Sequence, residues 1–224
     1  EAFIAHEFDL KNSTRNSDCS PMTFIRLGTS GGVQPDISPG TLAIASYALG
    51  LDSTGIYYDQ PPEDEIVERI EVEAEKILTE ATANTSRFKG KIIPYASKAS
   101  AEVTDALVNQ ATNHNVAFEV GITVSSPGFY GPSSRFVDGL KNTLPNIKGS
   151  LSKLNIDGLK VLNMEMESSL LFHLCSQMGY RAGTICTVIS APTESDVIID
   201  YDVAIGNTID IGLKALVELN ETNK

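Results

Sequence analysis

Two kinds of hydrophobic pattern alternate along the chain. Short, nearly continuous apolar runs occur at Met22–Leu27, within Gly40–Tyr58, and at Val116–Ser125, Lys160–Glu165 and Gly183–Ile189. Runs of this length, bounded by glycine, serine or proline, read as buried strands, with one or two strands inside Gly40–Tyr58. Between them lie segments with a helical period. After the Pro61-Pro62 break, Glu63–Ala83 carries Ile66, Ile70, Ala74 and Ile77 on one face and acids on the other. Ser100–Asn113, Met166–Met178 (stopped by Gly179) and Asp202–Leu219 read as further helices. Ala2–Leu10 reads as the end of a helix, and the polar stretch Lys11–Ser20 as a loose connection. Strands alternating with helices predict an α/β fold whose mixed, largely parallel central sheet is flanked by helices. No repeat or compositional break divides residues 1–224, so they are read as a single domain.

Composition narrows the partners. The chain is 42% hydrophobic and 21% charged, as in an ordinary soluble globular protein. Its longest apolar stretch, Thr41–Leu51, falls well short of the roughly 18 residues a membrane span needs. The acidic start Glu1–Glu7 lacks the basic flank of a signal peptide. A net charge of −12 repels nucleic acid and anionic membranes. A small anion would therefore need a local cation, and the arginines are Arg15, Arg26, Arg69, Arg87, Arg135 and Arg181. Cys19, Cys175 and Cys186 are odd in number and far apart, which points to a reducing, cytoplasmic setting. The sequons at Asn12, Asn84 and Asn220 then read as chance matches. No CxxC pair or histidine cluster suggests a metal.

Three segments carry candidate chemistry. In Phe24-Ile25-Arg26-Leu27-Gly28-Thr29-Ser30-Gly31-Gly32, glycines after a strand would let amides converge on an anion. Thr29 and Ser30 add hydroxyls, and Arg26 adds a fixed charge. The plainer reading is a tight turn with Arg26 paired to a structural carboxylate. In Val161-Leu162-Asn163-Met164-Glu165-Met166-Glu167-Ser168-Ser169, acids in an apolar strand-to-helix junction need partners. One carboxylate could accept both hydroxyls of a vicinal diol, with methionine packing on the sugar. The plainer reading is a helix start whose acids suit the dipole. In Ser125-Ser126-Pro127-Gly128-Phe129-Tyr130-Gly131-Pro132-Ser133-Ser134-Arg135, aromatics and an arginine could hold a planar base, or form an ordinary surface loop.

In this order and spacing the three segments resemble those of the nucleoside phosphorylase superfamily, and within it the uridine phosphorylases. The resemblance runs from Ala2 to about Leu219. It implies an enzyme that uses inorganic phosphate to cleave a nucleoside, most nearly uridine or a related pyrimidine nucleoside, to base and ribose 1-phosphate in nucleoside salvage. It implies Arg26, Gly28, Thr29 and Ser30 at phosphate, and Thr29, Met166 and Glu167 at ribose. Phe129, Ser133, Arg135 and Glu165 fall at the base, and Arg26 and Glu167 carry the catalysis. No metal or organic cofactor is implied. The family pattern also implies a dimer-based homo-oligomer, up to a hexamer, with sites completed across an interface.

Departures from the family pattern leave other readings open. A glutamine that pairs with the pyrimidine edge is replaced by Ser133, and an Asn-Arg pair by Ser190-Ala191-Pro192. Purine-type members place an aspartate in that last loop, and Asp196 lies a few residues late for it. A longer N-terminal segment of the family, bearing a phosphate loop, is expected to be absent from this chain. The alternatives are a nucleosidase that uses water, a purine-type phosphorylase, and a catalytically impaired nucleoside-binding homologue.

Overall fold

A computed structural model describes residues 7–16, 21–191 and 200–222. The main strands are β3 (Thr23–Gly32), β4 (Leu42–Gly50), β5 (Tyr95–Lys98), β6 (Phe118–Ser125), β8 (Leu159–Glu165) and β9 (Arg181–Ser190). Two-residue strands β1 (Phe8–Asp9), β2 (Thr14–Arg15) and β7 (Asn155–Ile156) are peripheral. The helices are α1 (Glu65–Ala81), α2 (Ala101–Asn113), α3 (Ile147–Leu151), α4 (Ser168–Met178) and α5 (Tyr201–Thr222).

The sheet is mixed, as expected. β3–β9, β4–β6 and β6–β8 pair parallel, while β4–β9, β4–β5 and β7–β8 pair antiparallel. Two irregularities shape it. Ser46 is an extra residue between Ala45 and Tyr47 in the β4–β6 register, and at that point β4 exchanges β9 for β5 as its other neighbour. At Ser30/Gly31 the β3–β9 register also shifts, and Gly31 and Gly32 turn to pair antiparallel with Met164 and Asn163 of β8. That pairing closes a circuit β3–β9–β4–β6–β8–β3 and brings two motifs, about 130 residues apart in the sequence, to one corner. A side chain at Gly32 would lie 3.0 Å from the Ser190 carbonyl oxygen, a tight contact that glycine avoids.

Helices cover the outside of this circuit. Asp64 caps α1 by accepting from the Ile66 and Val67 amides. The face of α1 turned inward is Val67, Ile70, Ala74 and Leu78; Ile66 and Ile77, expected at its centre, are only partly buried. Val67-Ile70-Ala74-Leu78 is an equally regular i, i+3, i+7, i+11 series, and packing against the sheet selects it. On another side, Val103 and Leu107 of α2 pack with Ile211 and Ala215 of α5 against Leu42, Ile44 and Ile185. Each fully buried Leu or Ile is worth roughly 1.5–3 kcal/mol of transfer free energy. Helix α4 ends where Gly179 adopts φ +73°, with the Tyr180 amide returning to the Cys175 carbonyl.

Some expectations are corrected. Phe8–Leu10 does not continue a helix: Phe8–Asp9 pairs with Thr14–Arg15 as a small hairpin. The Asp9 carboxylate accepts from the Lys11 and Asn12 amides at 3.0 and 3.3 Å, and Ser13 takes φ +53°. Turn chemistry therefore overrides the apolar spacing. Gly40–Tyr58 holds one strand followed by a short 3-10 turn at Gly55–Tyr57, and β5 was not anticipated. The expected helix residues before Glu7, the end of the Lys11–Ser20 connection and Asp196 lie outside the described residues.

Candidate active site

The closed corner holds a cleft of about 250 Å³. That is just below the usual range for small-ligand sites, roughly 300–1,000 Å³. One wall comes from β3, β8 and the start of α4; the other comes from the loop after β6, from α3 and from the end of β9.

Arg26 is the centre of the first wall. Its Nε lies 3.3 Å from Glu165 Oε2, its Nη2 donates to Glu167 Oε2, and its Nη1 donates to Cys186 Sγ at 2.9 Å. The guanidinium folds over Gly28, where a side chain would collide with it. Burial disfavours its charge, but Cys186, Glu165 and Glu167 outweigh that and raise its pKa. The Cys186 thiol is itself pushed up to about 12, chiefly by burial, and the two carboxylates flank the guanidinium. The plainer reading of Arg26, paired to carboxylates, therefore holds in this structure, and the same pairing fixes it at the cleft.

Glu165 and Glu167 divide the labour expected of their motif. Glu165 is 5% exposed. Its carboxylate accepts from Ser125 Oγ at 2.5 Å, from the Glu167 amide at 2.9 Å and from the Ser168 amide at 3.1 Å, besides facing Arg26. With most of its acceptor capacity taken up, it anchors the first amides of α4 and orients Arg26, while it also lines the cleft. Glu167 stands at the N-cap position of α4 but makes no side-chain cap bond. Its side chain is 58% exposed and turns into the cleft beside Met166. A carboxylate held on one side by Arg26 and open on the other can accept a pair of hydroxyls.

The glycine segment differs from its expectation. Gly28, Thr29 and Ser30 do not form a loop after the strand; they are strand residues in register with Cys186, Thr187 and Val188 of β9. Pairing with β9 along one edge holds this backbone in the sheet, and Gly28 serves to admit the Arg26 side chain. Thr29 and Ser30 still line the cleft, with the Ser30 hydroxyl accepting from Asn163 Nδ2 at 2.8 Å.

The second wall is looser. Arg135 lies over the ring of Phe129 at 3.7 Å, and Phe129 is 52% exposed. The Ser133 hydroxyl donates to the Gly128 carbonyl at 2.8 Å, so its proton is spent on the loop and only acceptor capacity faces the cleft. Two further lining residues, Lys148 on α3 and Ser190 at the end of β9, were not anticipated as site residues. Sequence offered little for Lys148. The Asn146 cap with Ile147 and Leu151 four apart marks a short helix, but a lone lysine in it carries no spatial signal.

Fold and site together define an α/β protein with a small-ligand cleft where strands of opposite direction meet. The chain belongs to the phosphorylase superfamily, whose family model matches residues 6–217. It is 31% identical over 175 residues to the uridine phosphorylase of Haemophilus influenzae, a match covering 78% of this chain and 56% of that protein. To the uridine phosphorylase of Thermococcus kodakarensis it is 32% identical over 171 residues, covering 75% and 48%. The chain thus spans about half the length of these curated relatives. A DeoD-type purine nucleoside phosphorylase of Dichelobacter nodosus is 24% identical, over 97% of this chain and 88% of that protein. Among solved structures, a Trypanosoma brucei nucleoside phosphorylase, described as showing uridine phosphorylase activity, has a TM-score of 0.77 at 26% identity. That match covers 95% of this chain and 72% of the trypanosomal one. No helix among the described residues is long and apolar enough to cross a membrane.

Proposed function

We propose that this chain forms the catalytic domain of a nucleoside phosphorylase, which cleaves a nucleoside with inorganic phosphate to a free base and ribose 1-phosphate. The observation that carries the proposal is the Arg26–Glu167 pair facing the cleft between Thr29 and Met166. Phosphate binding and ribose binding demand opposite charges at adjacent points, because the attacking oxygen must reach the carbon next to the 2′-hydroxyl. Phosphate takes Arg26 with the Thr29 and Ser30 hydroxyls. Glu167 accepts the ribose hydroxyls, Met166 packs on the sugar, and Phe129 and Arg135 flank the base.

A phosphate oxygen forms the new bond to the anomeric carbon as the glycosidic C–N bond breaks. The base leaves with that electron pair and takes a proton from solvent. In the oxocarbenium-like transition state, positive charge on the sugar lies between phosphate and Glu167, so fixed electrostatics supply the acceleration. Phosphate is the only co-substrate this reading requires.

Uridine is the first candidate, supported by the named uridine phosphorylases and the trypanosomal neighbour. A purine nucleoside is the second reading, favoured by the match to the DeoD-type phosphorylase along nearly the whole chain and by Ser133, which is too short to span a pyrimidine edge. Turnover of uridine, thymidine, inosine and adenosine, with and without phosphate, tests both. Cleavage that is independent of phosphate would indicate a water-using nucleosidase, and binding without turnover an impaired homologue. We also propose a cytoplasmic homo-oligomer working in nucleoside salvage. Sedimentation showing only monomer at micromolar concentration would overturn the assembly.

A further inference from the structure

The base end of the cleft is held by cations. Among the described residues, the carboxylates lining the cleft are Glu165 and Glu167, and both pair with Arg26 at the opposite end. Arg135 and Lys148 line the other end, and neither forms an ion pair with a described residue. Lys148 is fixed in place. Its neighbours Ile147 and Leu151 are buried in the core beneath α3, and the Asn146 side chain accepts from the Gly149 amide. The helix is also tied to the base loop. Ser134 Oγ accepts from the Ile147 amide at 2.8 Å and donates to the Leu144 carbonyl at 2.8 Å.

From that position the lysine reaches across the end of β3. A side-chain carbon built on Gly31 would lie 2.7 Å from Lys148 Nζ and 3.3 Å from Ser190 Oγ. Gly31 therefore leaves room for the ammonium, which a larger residue would push out.

We propose that Lys148 is the specificity-determining group of the base site, donating to the carbonyl oxygen that an amino group replaces in the counterpart base (O4 of uracil, O6 of hypoxanthine), so that oxo bases are accepted and their amino counterparts refused. This inference rests on the phosphorylase reading and adds a residue and a selection rule to it. An ammonium has three donors and no acceptor, so it can meet a carbonyl oxygen but not an exocyclic amine. A site built around an oxygen leaves polar groups unpaired when an amine takes its place. The same contact receives the negative charge that gathers on the leaving base. Burial, then the nearby Arg135 charge, lowers the lysine's pKa, which sharpens its need for an electron-rich partner.

The test is the ratio of kcat/KM for uridine over cytidine and for inosine over adenosine, in the wild type and in Lys148→Met and Lys148→Arg. A ratio is unaffected by the fraction of enzyme that folds. The wild type should favour the oxo member of at least one pair by about a hundredfold. Lys148→Met should shrink that ratio at least tenfold, and Lys148→Arg should retain most of it. An unchanged ratio in Lys148→Met overturns the proposal, as does a wild type indifferent to oxo and amino bases. A loss confined to the KM for phosphate also overturns it, by making Lys148 a phosphate ligand. If the wild type turns over no nucleoside, the phosphorylase reading fails on its own, and calorimetric binding of uracil against cytosine, and of hypoxanthine against adenine, decides Lys148. Tighter oxo binding that is lost in Lys148→Met sustains the inference, and equal binding or none overturns it.

Discussion

The two walls of the cleft are built by different physics. The β3–β8 wall is a network of buried groups in which Glu165 holds Arg26, Ser125 and the first amides of α4, and Ser125 Oγ in turn accepts from the Ser169 amide. The facing loop is tied mainly to itself, with the Ser133 and Arg135 amides returning to the Tyr130 carbonyl and Phe129 and Arg135 exposed. The first wall thus has its charges oriented before any ligand arrives, which is what electrostatic catalysis requires. The second can change sequence at little cost to the fold, and it is where this chain departs from the uridine phosphorylase pattern. On the proposed reading, the chemistry belongs to the sheet, and base choice falls to the facing wall of loop and α3.

The comparison is sharpest at Glu165. Glu165→Ala strips partners from Arg26, Ser125 and two amides, and should cost on the order of 3–5 kcal/mol in chemical denaturation. A loss below about 1 kcal/mol would mean the first wall is not the rigid one. Next comes Arg26→Ala, expected to lower kcat/KM about a hundredfold, roughly 2.7 kcal/mol, mostly through a raised KM for phosphate. Equal effects on phosphate and nucleoside KM would reduce Arg26 to a structural arginine.

Glu167→Gln should lower kcat/KM at least tenfold, about 1.4 kcal/mol, while changing unfolding free energy by less than about 0.5 kcal/mol. The small stability change follows from its exposed side chain. Near-wild-type kinetics would remove it as the ribose anchor. The smallest effect belongs to the loop. Ser133→Gln should raise the preference for uridine over inosine by up to about tenfold, with stability again within about 0.5 kcal/mol. If the wild type already favours uridine a thousandfold, specificity does not depend on a glutamine at this position.

Much of this was legible in the chain itself, because the signals are local. Apolar runs gave the positions of β3, β6, β8 and β9, and helical spacing with caps gave α1, α2, α4 and α5. The alternation of the two implied the α/β class, and the three motifs contain many of the residues that line the cleft, though not Lys148. Four-residue β5 and the β1–β2 hairpin escaped because so short a segment has no measurable period, and side-chain turn bonds decided the hairpin.

What only the tertiary structure decided depends on contacts between residues distant in sequence. Two neighbouring glutamates look alike in the chain, yet Glu165 is buried and tied into the frame at the cleft wall, while Glu167 is exposed to the cleft. The glycines after Arg26 read as a loop because local propensity favours one, whereas pairing with β9 and then β8 holds them in the sheet. Lys148 enters the site only because α3 is pinned by its buried Ile147 and Leu151 on the far side of a ring that closes at Gly31. Period and motif are carried by near neighbours along the chain, while the closing of the sheet depends on strand pairings across the whole of it.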